Sequence, residues 1–75
     1  YQHYNEFILT RLRTREGIDT LELKMRFGVP LYRYCLDNAQ KFIAEGLLVF
    51  QNNALKLTRK GMFISDGIIS ELMKV

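Results

Sequence analysis

Apolar residues recur along the chain at helical spacing for most of its length and switch to alternation once. Tyr4, Phe7, Ile8 and Leu12 follow the i, i+3, i+4, i+8 pattern of a buried helix face, with Leu9 widening the stripe, which predicts a first helix over Gln2–Thr14. Arg11, Arg13 and Arg15 fall in its last turn, where cations suit the carbonyl-rich end, and Gly17 supplies the stop. After a short extended link at Ile18, Asp19 with Glu22 three residues on reads as an N-cap, and a short helix follows over Thr20–Phe27, closed by Gly28. Val29-Pro30 turns the chain, because proline disfavours a helical residue before it.

A third helix begins at Leu31, with Tyr34, Cys35, Leu36, Ala39, Phe42 and Ile43 on its apolar face and Gly46 as its C-cap. Leu47–Phe50 and the alternating Ala54–Leu57 then read as two strands around Asn52-Asn53, residues that tolerate the positive φ of a tight hairpin. Thr58 caps a fourth helix over Arg59–Lys74 whose inward positions are Phe63, Ile64, Ile68, Ile69, Leu72 and Met73. Gly67 is costly inside such a helix, by about 1 kcal/mol against alanine, so a bend or a close approach of another surface is expected there. The order helix, helix, helix, hairpin, helix is that of a winged helix: mainly α, with a helix-turn-helix and a small β-hairpin as the wing.

Length narrows the function. Chains of this size bury only about 60% of the surface exposed when unfolded, so a sizeable catalytic cleft is not expected in 75 residues, and the chain by itself is not read as an enzyme. Hydrophobic residues at 48% exclude a disordered chain. A single cysteine, Cys35, can form neither an internal disulfide nor a multi-thiolate metal site, which favours a reducing, cytoplasmic setting. No signal segment opens the chain and no apolar run approaches the ~20 residues of a membrane span. Tyr1 stands where an initiator methionine would, so the 75 residues are expected to be one domain from a longer protein.

Candidate chemistry is sparse. His3 lacks the companions of a metal site or a supported base, and Cys35 falls on an apolar helix face, where a thiol behaves as a small hydrophobe. Tyr32 and Tyr34 could stack on bases or on a protein. The arginines at 11, 13 and 15 spread over an arc, either as a solvated helix end or as a docking patch for an acidic surface, a phosphate or a neighbouring domain. The alternative to a protein-docking role is a DNA-binding regulator. Against it, the third helix carries Arg33, Asp37, Lys41 and Glu45, which cancel, and the hairpin tip Gln51-Asn52-Asn53-Ala54 has no charge, whereas duplex affinity comes largely from cations on phosphates. Lys56, Arg59 and Lys60 near the base of the hairpin keep that alternative open, within a net charge of +3.

Taken together, Glu6-Phe7-Ile8-Leu9, Leu12-Arg13, Gly17-Ile18-Asp19 and Arg26-Phe27-Gly28 in the first half, with Glu45-Gly46-Leu47-Leu48, Leu57-Thr58-Arg59-Lys60-Gly61 and Ser65-Asp66 in the second, resemble the C-terminal domain of the radical SAM coproporphyrinogen III oxidase family. That family comprises the oxygen-independent enzyme of heme synthesis (HemN) and relatives that include the heme chaperone HemW. The resemblance implies a parent whose barrel carries a cysteine-ligated [4Fe-4S] cluster and S-adenosylmethionine, with porphyrin or heme as its ligand. The chain has neither a Cys-x-x-x-Cys-x-x-Cys run nor the His-Asn-x-x-Tyr-Trp motif of the chaperone branch; it would be the lid or docking domain, with its own barrel as partner. On this resemblance, Glu6 and the segment from Arg11 through Arg13 and Arg15 to Gly17 are expected to pack against the barrel, Gly17 allowing a tight turn and Arg13 reaching a carboxylate or carbonyl.

Overall fold

A computed structural model describes residues 1–74. Helix α1 spans Gln2–Leu12 and stops two residues short of the expected Thr14, because Leu12 is the last apolar anchor of its buried face. Arg13 and Arg15 therefore lie past the helix, not in its last turn. Tyr4, Phe7, Ile8 and Leu12 face inward, while Leu9 is 44% exposed and does not widen the stripe. Ile18–Asp19 forms a short strand, β1, and Asp19 also caps α2 (Thr20–Phe27), its carboxylate accepting from the Leu21 and Glu22 N–H groups at 3.0 and 3.2 Å. Helix α3 is Val29–Ala44, so Val29-Pro30 opens the helix and does not turn the chain before it. Proline is tolerated in a first turn, where its missing N–H has no partner to lose. Past the end of α3, Gly46 adopts φ +77° and the Leu47 N–H reaches back to the Phe42 carbonyl at 2.8 Å.

Strands β2 (Leu48–Gln51) and β3 (Ala54–Leu57) form the hairpin, with Gln51 opposite Ala54 and Leu48 opposite Leu57. Asn52 and Asn53 have φ of 50° and 62°, the two positive values that a two-residue type I′ turn needs. The expected extended link at Ile18 joins the sheet: β1 pairs antiparallel with β3, Ile18 opposite Leu55, giving the order β1-β3-β2. Thr20 fastens α2 to the hairpin, its N–H and hydroxyl both donating to the Asn53 carbonyl at 2.9 and 2.7 Å.

The expected fourth helix is two. Helix α4 covers Arg59–Met62 and α5 covers Ser65–Leu72, and the chain bends between them at Phe63 and Ile64. The first piece is held by the sheet. Thr58 Oγ1 accepts from the Gly61 N–H at 3.1 Å and donates to the Gly46 carbonyl at 2.7 Å, and Gly61 presses so closely on the Leu47 carbonyl that a Cβ there would collide with it. The second piece is held by the core, where Ile68, Ile69 and Leu72 join Tyr4, Ile8, Leu23, Cys35, Ala39 and Leu55. One straight helix cannot satisfy both attachments. Phe63 and Ile64, expected inside, are instead 85% and 51% exposed, whereas Met73 is half-buried against the core. Gly67 is exposed with nothing near the place of a Cβ; the bend comes before it, and none of the other described residues approaches it there.

The far end of α5 is tied down by side chains distant in sequence. Tyr4 donates to the Leu72 carbonyl at 2.7 Å and Tyr34 to the Met73 carbonyl at 3.1 Å. Asn5 both donates to the Lys74 carbonyl at 2.8 Å and accepts from the Lys74 N–H at 2.7 Å. Carbonyls orphaned at a helix C-terminus are thereby satisfied without a glycine cap.

Candidate docking surface

The segment singled out in the sequence divides into residues occupied within the chain and residues left outside it. Arg11 grips Glu22 with both guanidinium arms, at 2.7 and 3.2 Å, and lies 4.5 Å over the Phe7 ring. Arg26 shares the same carboxylate at 3.4 Å and sits 5.3 Å from the Phe7 and Phe27 rings. Hydrogen bonding from Arg11, reinforced by Arg26, holds the Glu22 carboxyl below its ordinary value, and Glu22 raises Arg11 in return. Glu22 is thus turned toward α1 instead of completing a capping box with Asp19.

Thr14 shapes the turn that follows, its hydroxyl donating to the Arg11 carbonyl at 2.6 Å while accepting from the Gly17 N–H at 3.1 Å. Gly17 has φ +73° and lies directly on the Leu55 carbonyl, with the Lys56 Cγ 2.7 Å from where a Cβ would be. Any side chain there would push β1 off β3. Arg13 reaches out of the turn to pair with Asp66 at the start of α5, so its carboxylate partner is supplied by this chain. Glu6 and Arg15 are exposed and have no ion-pair partner among the described residues.

Arg13 connects this turn to the α4–α5 corner, where Phe63 and Ile64, expected inside, stand in the open. Met62, Phe63 and Ile64 are 55%, 85% and 51% exposed. They border an open depression of about 840 Å³ whose sides are closed by the Arg13–Asp66 pair and by Lys41–Glu71, the latter at 2.6 Å. A signal for this exposure was present in the sequence: if Gly61 faces inward, Phe63 two residues on is turned by roughly 200° and must face away. The contact of Gly61 with Leu47 that fixes this direction joins residues 14 apart and is not legible from spacing.

The remaining candidates have other roles. His3 is exposed on α1. Cys35 is fully buried, and loss of hydration pushes its thiol up to about 11 despite a hydrogen bond with Tyr4. Burial, and then Cys35, push the Tyr4 hydroxyl well above its usual range. An iron–sulfur cluster of the kind the resemblance assigns to the parent needs several thiolates, and one buried, protonated thiol does not fit it. Among the described residues no three His, Cys, Asp or Glu side chains are grouped to hold a metal ion, and no helix is long and apolar enough to cross a membrane. Tyr34 secures the end of α5, and Tyr32 lies 5.3 Å beneath the Lys24 ammonium.

Residues 2–64 match the family model described as HemN C-terminal domain. No curated protein and no solved structure matches the chain.

Proposed function

The chain belongs to the HemN C-terminal domain family, and from that premise we propose that it is the accessory, C-terminal domain of a radical SAM coproporphyrinogen III oxidase-like protein acting in the cytoplasm. In this reading residues 1–75 are one winged-helix domain of a longer chain. The three helices α1 to α3, followed by a hairpin whose second strand lies centrally in the sheet, support that assignment. The parent's barrel supplies the [4Fe-4S] cluster and S-adenosylmethionine; this domain packs against the barrel and helps order its porphyrin- or heme-binding side. The family match is the observation that carries the proposal.

The docking segment is Glu6 with Arg11–Gly17. Arg11 and Gly17 give the segment its shape through Glu22 and Leu55, leaving Glu6 and Arg15 to meet the barrel directly. Arg13, at the junction with Asp66, sets the edge of the contact. The test is made in the full-length parent, measuring coproporphyrinogen III turnover and heme retention for Arg15→Glu and Arg13→Ala. The expected result is a loss of porphyrin or heme handling of at least about tenfold for Arg15→Glu, as like charges set across an interface oppose docking, with the melting of the 75-residue chain unchanged. Unaltered handling in both variants would remove the role of this segment. The chain alone is expected to turn over no coproporphyrinogen, with or without S-adenosylmethionine.

A further inference from the structure

The direction of Phe63 is set by the fold itself. Gly61 is buried against the Leu47 carbonyl and the Thr58 hydroxyl locks the turn from the other side, so α4 has one fixed inward direction. On a turn of about 3.6 residues, Arg59 and Phe63 then both point away from the sheet, with Met62 and Lys60 to either side. Rotating Phe63 inward would require lifting Gly61 off Leu47. The corner therefore holds a large aromatic side chain in the open at 85% exposure, with Met62 and Ile64 beside it, and none of the described residues covers it.

The charges around it are one-sided. Asp66 and Glu71, the carboxylates nearest the corner, are engaged by Arg13 and Lys41. Arg59 and Lys60 are exposed and have no ion-pair partner among the described residues. An aromatic anchor with a cationic border is complementary to an apolar pocket with an acidic border.

We propose that the α4–α5 corner is the anchor of the domain: Phe63 enters an apolar pocket of the parent's barrel whose rim carries carboxylates that meet Arg59 and Lys60. This rests on the accessory-domain reading above and adds to it the position and the chemistry of the contact. Aromatic residues seated in desolvated pockets carry a disproportionate share of interface energy, and Phe63 is the largest exposed apolar side chain of the corner.

The test places the photoreactive residue p-benzoylphenylalanine at position 63 of the full-length parent, and in separate samples at position 15. A cross-link from position 63 to a barrel segment containing Asp or Glu is expected, and Arg59→Glu with Lys60→Glu should cut its yield at least about tenfold. Cross-linking from position 15 but not from 63 would overturn this inference and leave the docking segment of the proposed function standing. A cross-link from 63 to a barrel segment without acidic residues, or a yield indifferent to the charge reversal, would overturn the assigned chemistry. No cross-link to the barrel from either position would overturn both.

Discussion

The two ends of α5 treat the surrounding chain in opposite ways. At its C-terminal end Leu72 is fully buried and the carbonyls of Leu72, Met73 and Lys74 each accept a hydrogen bond from Tyr4, Tyr34 or Asn5. At its N-terminal end no side chain caps the helix, and Met62, Phe63 and Ile64 stand in the open. The first end is completed by residues of this chain. The second has the composition of a core and the exposure of a surface, a combination that marks a place for another molecule. The two ends of α5 thus separate what holds the domain together from what is left open beside it.

Substitutions at the two ends of α5, in the helix and in the residues beside it, should reproduce that contrast in thermal melting of the 75-residue chain. The largest effect is expected for Leu72→Ala, about 3 kcal/mol, or roughly 12–24 °C in melting temperature for a domain of this size. Tyr4→Phe keeps the ring and removes the hydroxyl from the buried Leu72 carbonyl, and should cost about 1.5 kcal/mol. At the open end, Phe63→Ser should change stability by no more than about 0.5 kcal/mol. A loss at Phe63 comparable to that at Tyr4 would dissolve the distinction, because it would mean that the corner is packed within the chain in solution.

Two further measurements sharpen the account away from α5. The Glu22 carboxyl is lowered by Arg11, so its contribution is complete above the unfolded value of about 4.3 and is lost as pH falls through the lower folded value. Glu22→Gln should therefore flatten the acid limb of a stability–pH curve and leave its shape near neutrality unchanged; an identical acid limb in the variant would separate Glu22 from that transition. The smallest signal is expected from Cys35. With its thiol buried and pushed up to about 11, it should react with a disulfide reagent at pH 8 only as fast as the chain unfolds. Rapid labelling of the folded chain would contradict that placement.

What the sequence made legible follows the range of the chemistry involved. Asp19 and Thr58 were identifiable as caps, and Asn52-Asn53 as a turn, because each acts on neighbours within a few residues. The boundaries of α2 and β3 fall where the pattern put them for the same reason. The bend at Phe63 was not legible, since it arises from the contact of Gly61 with Leu47 and from the burial of Ile68 and Leu72 against α1 and α3. Apolar periodicity records which residues could be inside; it does not record that two attachments compete for one helix. Tyr34 and Asn5 were opaque because their partners lie 39 and 69 residues away. Of the segment proposed for docking, the sequence located the arginines, but the carboxylates that engage Arg11 and Arg13 became visible only in the fold.

The proposal that this domain docks through its α4–α5 corner on the barrel of its parent is tested most directly by hydroxyl-radical labelling of the 75-residue chain alone and of the same residues within the full-length parent. Met62 and Phe63 should be labelled in the isolated chain and protected in the parent, while Met25, 86% exposed on α2, stays labelled in both. Equal labelling of Met62 and Phe63 in the two samples would contradict the account.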